Sequence, residues 1–276
     1  MATSNGTPKS AKSAKSGNRK PMIHMCCDRI LNGPEKIRAM HAAILKTSKN
    51  APPVAPPAKK LFGASSMGAP AKMALQAGKK WADGRTLGVY FLDGSATQKM
   101  RVQAQAKRWE QFANIKLDFS SNRANAQIRI SFVADDGSWS YIGTDCLGIA
   151  KSKPTMNLGW LKDDTDDTEY ERVVVHEFGH ALGAIHEHQN PMGGIQWNLP
   201  AVYAYFGGPP DNWSKEETDN NVVGKYSVDQ LNASRYDPNS IMLYQFDGAL
   251  IKGGKATKFN NRLSAGDKRF IHKQYP

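Results

Sequence analysis

Four of the seven histidines in this 276-residue chain fall between residues 176 and 188, in the run His176-Glu-Phe-Gly-His180-Ala-Leu-Gly183-Ala-Ile-His186-Glu-His188. Two histidines four apart on a helix stand on one face a turn apart, where their imidazoles can share an ion. A glycine then falls where that helix should end. Only glycine readily takes the left-handed backbone that turns a chain sharply after a helix, and the turn can carry His186 back to the same ion. Three neutral imidazoles suit zinc, and a catalytic zinc keeps its remaining position open for water. Glu177, beside the first ligand, is expected to face that water, take its proton and pass it to a leaving amine. Given seven histidines, eight glutamates and 24 glycines, shuffling would produce the full His-Glu-x-x-His-x-x-Gly-x-x-His pattern about once in 100,000 chains of this composition. His188 lies off the ligand spacing and is expected in a structural or rim position.

The elements that must hold these residues can be read on either side. A helix is expected over 168–182, after an acidic polar stretch. Before it, 86–92 reads as a strand, and Val102, Ala106, Trp109 and Ala113 share one face of a helix that follows the Asp93-Gly94 turn. Residues 115–119 alternate, as do Ile128, Ile130 and Phe132, and 139–143 and 155–159 look like further strands or strand-like loops. Strand, helix, strand, strand is the beginning of an α/β domain. Past the histidines, regular structure thins out until Ser264-Ala-Gly-Asp267, a capping-box-like start for a last helix carrying Phe270, Ile271 and Tyr275.

Composition bounds the rest. With 40% hydrophobic residues the chain can bury a sizeable core. No run approaches the roughly 18 apolar residues of a membrane span, and no apolar signal segment follows the basic N-terminus, so the compartment is left open: cytoplasmic, exported by a non-classical route, or secreted, as the family resemblance given below would imply. Residues 1–80 hold 15 lysines and arginines against two acids, while the remainder is close to neutral. Residues 1–21 are expected to be a disordered basic tail, a solvated extension rather than a specific nucleic-acid binder. Residues 22–78 form an N-terminal extension of pro-segment type, with a short helix showing Ile37, Met40, His41 and Ile44 at helical spacing and a stiff Pro-rich linker at 51–58. The compact domain is expected over 79–276, and the protein as a monomer. Three cysteines, Cys26, Cys27 and Cys146, argue by their odd number against a disulfide scaffold. Cys26 and Cys27 are expected to be buried or adventitious thiols, with no matrixin-type sequence around them; the alternative is that a thiolate from one of them fills the open zinc position and holds the enzyme latent.

From about residue 80 onward these residues resemble the metzincin zinc peptidases, which carry the extended histidine motif and a downstream methionine-containing turn beneath the metal. That turn is similar to Tyr236-Asp-Pro-Asn-Ser-Ile-Met242-Leu-Tyr244 here. Glu187 directly after the third histidine, and Tyr244 two after the turn methionine, look like the astacins. Gly137-Ser-Trp-Ser-Tyr-Ile-Gly143 is similar to the astacin edge-strand segment, and Thr155-Met-Asn-Leu-Gly159 to the segment before the zinc helix. The resemblance implies an α/β (α+β) metzincin fold: a twisted, mostly parallel sheet in the N-terminal subdomain, a zinc-binding helix, and an irregular C-terminal subdomain ending in a helix. It also implies a zinc metalloendopeptidase acting on protein or peptide substrates with one catalytic zinc on His176, His180 and His186. In that reading Glu177 is the general base, Met242 the floor of the site, Tyr244 a zinc ligand or transition-state donor, and Trp139, Ser140 and Tyr141 the strand along which substrate lies. The alternative is an inactive zinc-containing protein-binding module. Two departures stand out: Ser138 occupies a position where the edge segment usually holds cysteine, and Leu243 one where astacins often have histidine.

Overall fold

The structure, a computed structural model, describes residues 31, 33–47, 50, 75–76, 78–209, 211–226, 231–232 and 235–276. The expected basic tail, Cys26, Cys27 and the Pro-rich stretch lie outside the described residues.

The scaffold is a five-stranded sheet. Its strands are β2 (Arg85–Phe91), β3 (Ile115–Asp118), β4 (Ile128–Ser131), β5 (Ser138–Ser140) and β6 (Met156–Leu158), in the order β3-β2-β4-β6-β5. A two-residue strand, β1 (Leu75–Gln76), pairs antiparallel with β7 (Leu231–Asn232) elsewhere. Within the main sheet, β2 runs parallel to β3 and β4, with Val89 opposite Ile128, and β4 runs parallel to β6, with Ile130 opposite Met156. Only the terminal strand β5 is antiparallel, placing Ser140 opposite Met156. The expected mostly parallel sheet is therefore present. β4 is buried along its whole length, as strands covered on both faces are. Arg129 within it is tolerated because its guanidinium donates to backbone carbonyls, including Lys153 O at 2.8 Å and Ile149 O at 3.2 Å.

Two long helices pack together against the sheet. Helix α2 (Ala96–Ala106) starts on a capping box between Ser95 and Gln98, then tightens into a 3-10 turn over Lys107–Gln111 that buries Trp109. Helix α3 (Asp167–Ala181) carries the first two histidines. Val102, Ala106, Trp109, Val174 and Phe178 share one core with Leu87, Val89 and Ile130. Burial of this apolar surface is the main stabilising term in such a fold.

The N-terminal helix α1 (Gly33–Lys46) forms where expected but turns a different face inward. Ala39 and Ala43 are buried, whereas Ile37 is 55% and Met40 45% exposed. The reason is close approach: α1 lies against the 3-10 turn Gly143–Gly148, and even a methyl group at Gly148 would meet Glu35 O at 2.6 Å and Ala39 Cβ at 3.1 Å. Only small side chains fit at that contact, so the larger ones face away.

Beyond α3 the chain is less irregular than its sequence suggests. Short helices α4 (Leu199–Phe206) and α5 (Lys215–Thr218) precede a π-helical turn at Asp219–Val223. The α4 sequence is apolar on nearly every side, so it shows no 3.6-residue alternation to detect. Helix α6 (Ala265–Gln274) begins on the expected Ser264–Asp267 capping box. Among the described residues no helix is long and apolar enough to cross a membrane.

Candidate metal centre

Helix α3 is fixed at both ends. Asp166 caps its start by accepting from Thr168 N at 2.7 Å, and Asp167 and Glu169 in the first turn suit the positive end of the helix dipole. At its other end Gly183 takes φ +99°. Its N–H donates to His180 O at 2.7 Å and that of Ala184 to Gly179 O at 2.9 Å, the paired bonds of a Schellman turn. The last carbonyls are also taken: Trp81 Nε1 donates to Ala181 O and the Tyr275 hydroxyl to Leu182 O, each at 2.8 Å.

This turn returns His186 to the first two histidines. His180 Nε2 lies 3.1 Å from His176 Nε2 and 3.0 Å from His186 Nε2, and all three residues are buried. The other ring nitrogen of His176 faces Ile241 O at 2.9 Å, and that of His180 faces Ala184 O at 2.8 Å. A carbonyl oxygen can only accept, so both Nδ1 atoms carry the proton and both Nε2 atoms present bare lone pairs. Burial, then the neighbouring His180 and His186, hold the His176 ring well below the ordinary histidine range, which keeps it neutral. Lone pairs facing one another at such distances repel unless a cation lies between them. Two imidazole nitrogens on a tetrahedral zinc stand roughly 3.3 Å apart, given Zn–N bonds of about 2.05 Å, close to the spacing seen. The donor set fits one zinc ion.

The segment around Met242 closes the site from below. The Met242 thioether packs against α3 at Gly179, where an added Cβ would meet Met242 Sδ at 2.5 Å; the glycine between the two helix histidines is what lets this segment approach. Met242 O accepts from Glu187 N at 2.9 Å. The Tyr244 hydroxyl lies 2.6 Å from His186 Nε2, at the point where the imidazoles converge. Glu177 is buried next to His176 on α3. His188 is buried too, stacked on the His186 ring at 5.1 Å between centroids, with its Nε2 3.1 Å from Asn221 O. Glu187 Oε1 accepts from Asp237 N at 2.7 Å and Asn190 Nδ2 at 3.1 Å, while Oε2 has no partner among the described residues. Burial pushes this carboxyl up to about 8.

Other contributors are not visible in the motif. Asp267, in the first turn of α6, accepts from Ile241 N at 2.9 Å and from the Ser240 hydroxyl at 2.7 Å. It thereby holds the amide of the residue whose carbonyl orients His176, and through the Ser240 hydroxyl, which accepts from Met242 N at 3.1 Å, the peptide carrying that carbonyl, the outer-shell arrangement that metal-binding histidines commonly need. The capping box is the one hint, because it places an acid at a known position, though not what that acid would reach.

The proposed substrate strand is the terminal strand β5. Trp139 and Ser140 are buried and Tyr141 partly so; Trp139 joins the apolar cluster around Tyr244 and Phe246, with its Nε1 donating to Asp136 Oδ2 at 2.9 Å. A cavity of about 890 Å³ opens elsewhere around the site, between α3 and the residues after Met242, with Tyr244 in its wall.

Comparison with known proteins agrees with this geometry. Residues 73–192 match the family model described as Astacin, a peptidase family. A solved structure entitled "Structure of myroilysin" is 43% identical, with a TM-score of 0.71, covering 74% of this chain and 98% of that one. A second, "Crystal structure of myroilysin", is 41% identical, with a TM-score of 0.56, covering 72% and 86%. High choriolytic enzyme 1, a hatching enzyme zinc-protease from Oryzias latipes (Medaka fish), is 18% identical with a TM-score of 0.49, covering 71% of this chain and 94% of that one. Comparison with curated protein sequences gives no match. With a relative above 40% identity aligned over almost its whole length, and three buried imidazoles spaced for zinc, the chain belongs to the astacin family of zinc metallopeptidases.

Proposed function

We propose that the protein is an endopeptidase that hydrolyses peptide bonds in proteins with Glu177 as general base. The observation that carries this reading is the convergence of three Nε2 atoms with the Tyr244 hydroxyl at one buried point. His176, His180 and His186 would hold zinc, which when bound would supply Lewis acidity there. The protein's own groups do the rest. Substrate lies extended along β5, adding itself by main-chain hydrogen bonds beside Trp139, Ser140 and Tyr141. Glu177 takes the proton of the attacking water and returns it to the amine nitrogen as the peptide bond breaks. Tyr244 donates its hydroxyl proton in a hydrogen bond to the oxygen on which negative charge develops. Met242 serves as the apolar floor, and Asp267 and Ala184 O keep the two helix imidazoles in the tautomer that leaves Nε2 free. The protein is proposed to act as a monomer.

Glu177→Gln tests the assignment. The variant should bind zinc with the stoichiometry of the parent and lose cleavage of a peptide library by about 100-fold or more. Unimpaired cleavage would remove Glu177 as the base. A parent protein that binds zinc, holds peptides and cuts none would be the inactive binding module instead.

A further inference from the structure

The cavity beside Tyr244 has a chemical character that points to what fills it. Its wall is formed by Trp160, Leu243, Tyr244, Phe246, Leu250 and Phe259, and its volume of about 890 Å³ is near the upper end of the roughly 300–1,000 Å³ of small-molecule pockets. It adjoins the reacting centre through Tyr244, whose hydroxyl reaches His186, and through Ile241, whose carbonyl holds His176. Phe259 is 48% exposed, with the Arg172 guanidinium 5.6 Å from its ring centroid.

Two charges lie inside, and they cancel. Arg172, one helical turn before His176, donates through Nε to Glu169 Oε2 at 2.7 Å and through Nη2 to Glu169 Oε1 at 2.6 Å. Trp160 Nε1 also donates to Glu169 Oε1, at 2.9 Å. Both side chains are largely shielded from solvent, so the pair is held in a fixed, two-pronged geometry. The remaining charged lining residues, Lys162 and Asp247, are exposed at the rim and opposite in sign. A charged side chain reaching the inner part of the cavity would lose its water and find Arg172 and Glu169 already paired with each other, since Lys162 and Asp247 stand in solvent at the rim, and that is costly. A large apolar or aromatic one would bury its surface against the ring wall.

Building on the peptidase reading, we propose that this cavity takes a bulky uncharged side chain, aromatic for preference, at a position flanking the cut bond, and that Glu169 sets this selectivity by occupying Arg172. Without the Glu169 carboxylate, the Arg172 guanidinium would face the cavity as an available cation and would accept acidic side chains.

The test is a cleavage-site profile of the zinc-loaded full chain on a peptide library randomised on both sides of the cut, compared with Glu169→Gln and Phe259→Ala. The parent should favour aromatic over acidic residues at one flanking position by about tenfold or more. Glu169→Gln should lower that ratio by about tenfold, by admitting aspartate and glutamate. Phe259→Ala, at a half-exposed position, should weaken the aromatic preference several-fold without admitting acids, because Glu169 still holds Arg172. Indiscriminate cutting by the parent, a parental preference for acids, or variant profiles identical to the parent's would each overturn this proposal while leaving the peptidase intact. A parent that cuts nothing would overturn the peptidase reading and this inference with it.

Discussion

Asp267 is not among the histidine-cluster residues, yet through Ile241 the structure makes it a support for two things at once. In Asp267→Ala, three donors lose their acceptor: Ile241 N at 2.9 Å, the Ser240 hydroxyl at 2.7 Å and Ser264 N at 2.9 Å. Ser264 N is partly exposed and can turn to water, but the other two are buried. Each orphaned buried donor costs about 1–3 kcal/mol. The carboxylate's own burial is unfavourable, and relief of that cost offsets part of the loss, so the net effect should be about 2–4 kcal/mol of a total near 5–15 kcal/mol. Because Ile241 O orients His176, zinc affinity should also fall, by about 10- to 100-fold. Asp267→Asn can offer its carbonyl to Ile241 N and its amide to the Ser240 oxygen, so it should stay within about 1 kcal/mol of the parent. Urea unfolding near neutral pH gives the stabilities, and competition with a chelating dye gives the zinc affinities. If the alanine variant unfolds at the parental midpoint, or binds zinc as the parent does, Asp267 does not support the site in this way.

Three further outcomes follow from the same contacts. Burial lifts the Asp267 carboxyl from 3.8 to about 6, so the native state holds this proton more tightly than the unfolded chain. Its contribution to stability is therefore fully present below about pH 4 and is lost as the pH rises through about 6; the urea-midpoint difference between the parent and Asp267→Asn should change over that window, and a constant difference would contradict the assignment. Gly183→Ala forces a side chain to φ +99°, which costs about 1–2 kcal/mol and should lower the thermal midpoint by roughly 3–8 °C with loss of zinc affinity; calorimetry showing no change would refute the turn's role. Cys146 is buried and its thiol is pushed up to about 12, chiefly by that burial, so peptide-level mass spectrometry should find it unalkylated at about pH 8 until denaturant is added. Rapid labelling of the folded protein would show that the site opens.

What the sequence reveals and what it hides divide along physical lines. Periodicity finds β2, the zinc helix and α6 to within a residue or two, because each buries a single well-marked face. The metal ligands are legible for a related reason: one helical turn and one glycine turn determine where His176, His180 and His186 point. The inward face of α1 is not legible, because larger apolar residues ordinarily seek the core, and only the third dimension shows Gly148 admitting nothing bigger than Ala39 and Ala43. Helix α4 escapes detection because it is apolar nearly all round. The backbone carbonyls of Ile241 and Ala184, the reach of Asp267 and the caps from Trp81 and Tyr275 join residues far apart in the chain, and no local spacing records them. Trp139 is open to two readings in the sequence, a subsite wall or a core aromatic; its ring lies in the apolar cluster with Tyr244 and Phe246.

The most direct test of the central claim is a metal count coupled to activity. Elemental analysis of the purified full chain should find one zinc per molecule; chelation should abolish peptide cleavage, and one equivalent of zinc should restore it. Undiminished cleavage by protein shown to be free of metal would contradict the account.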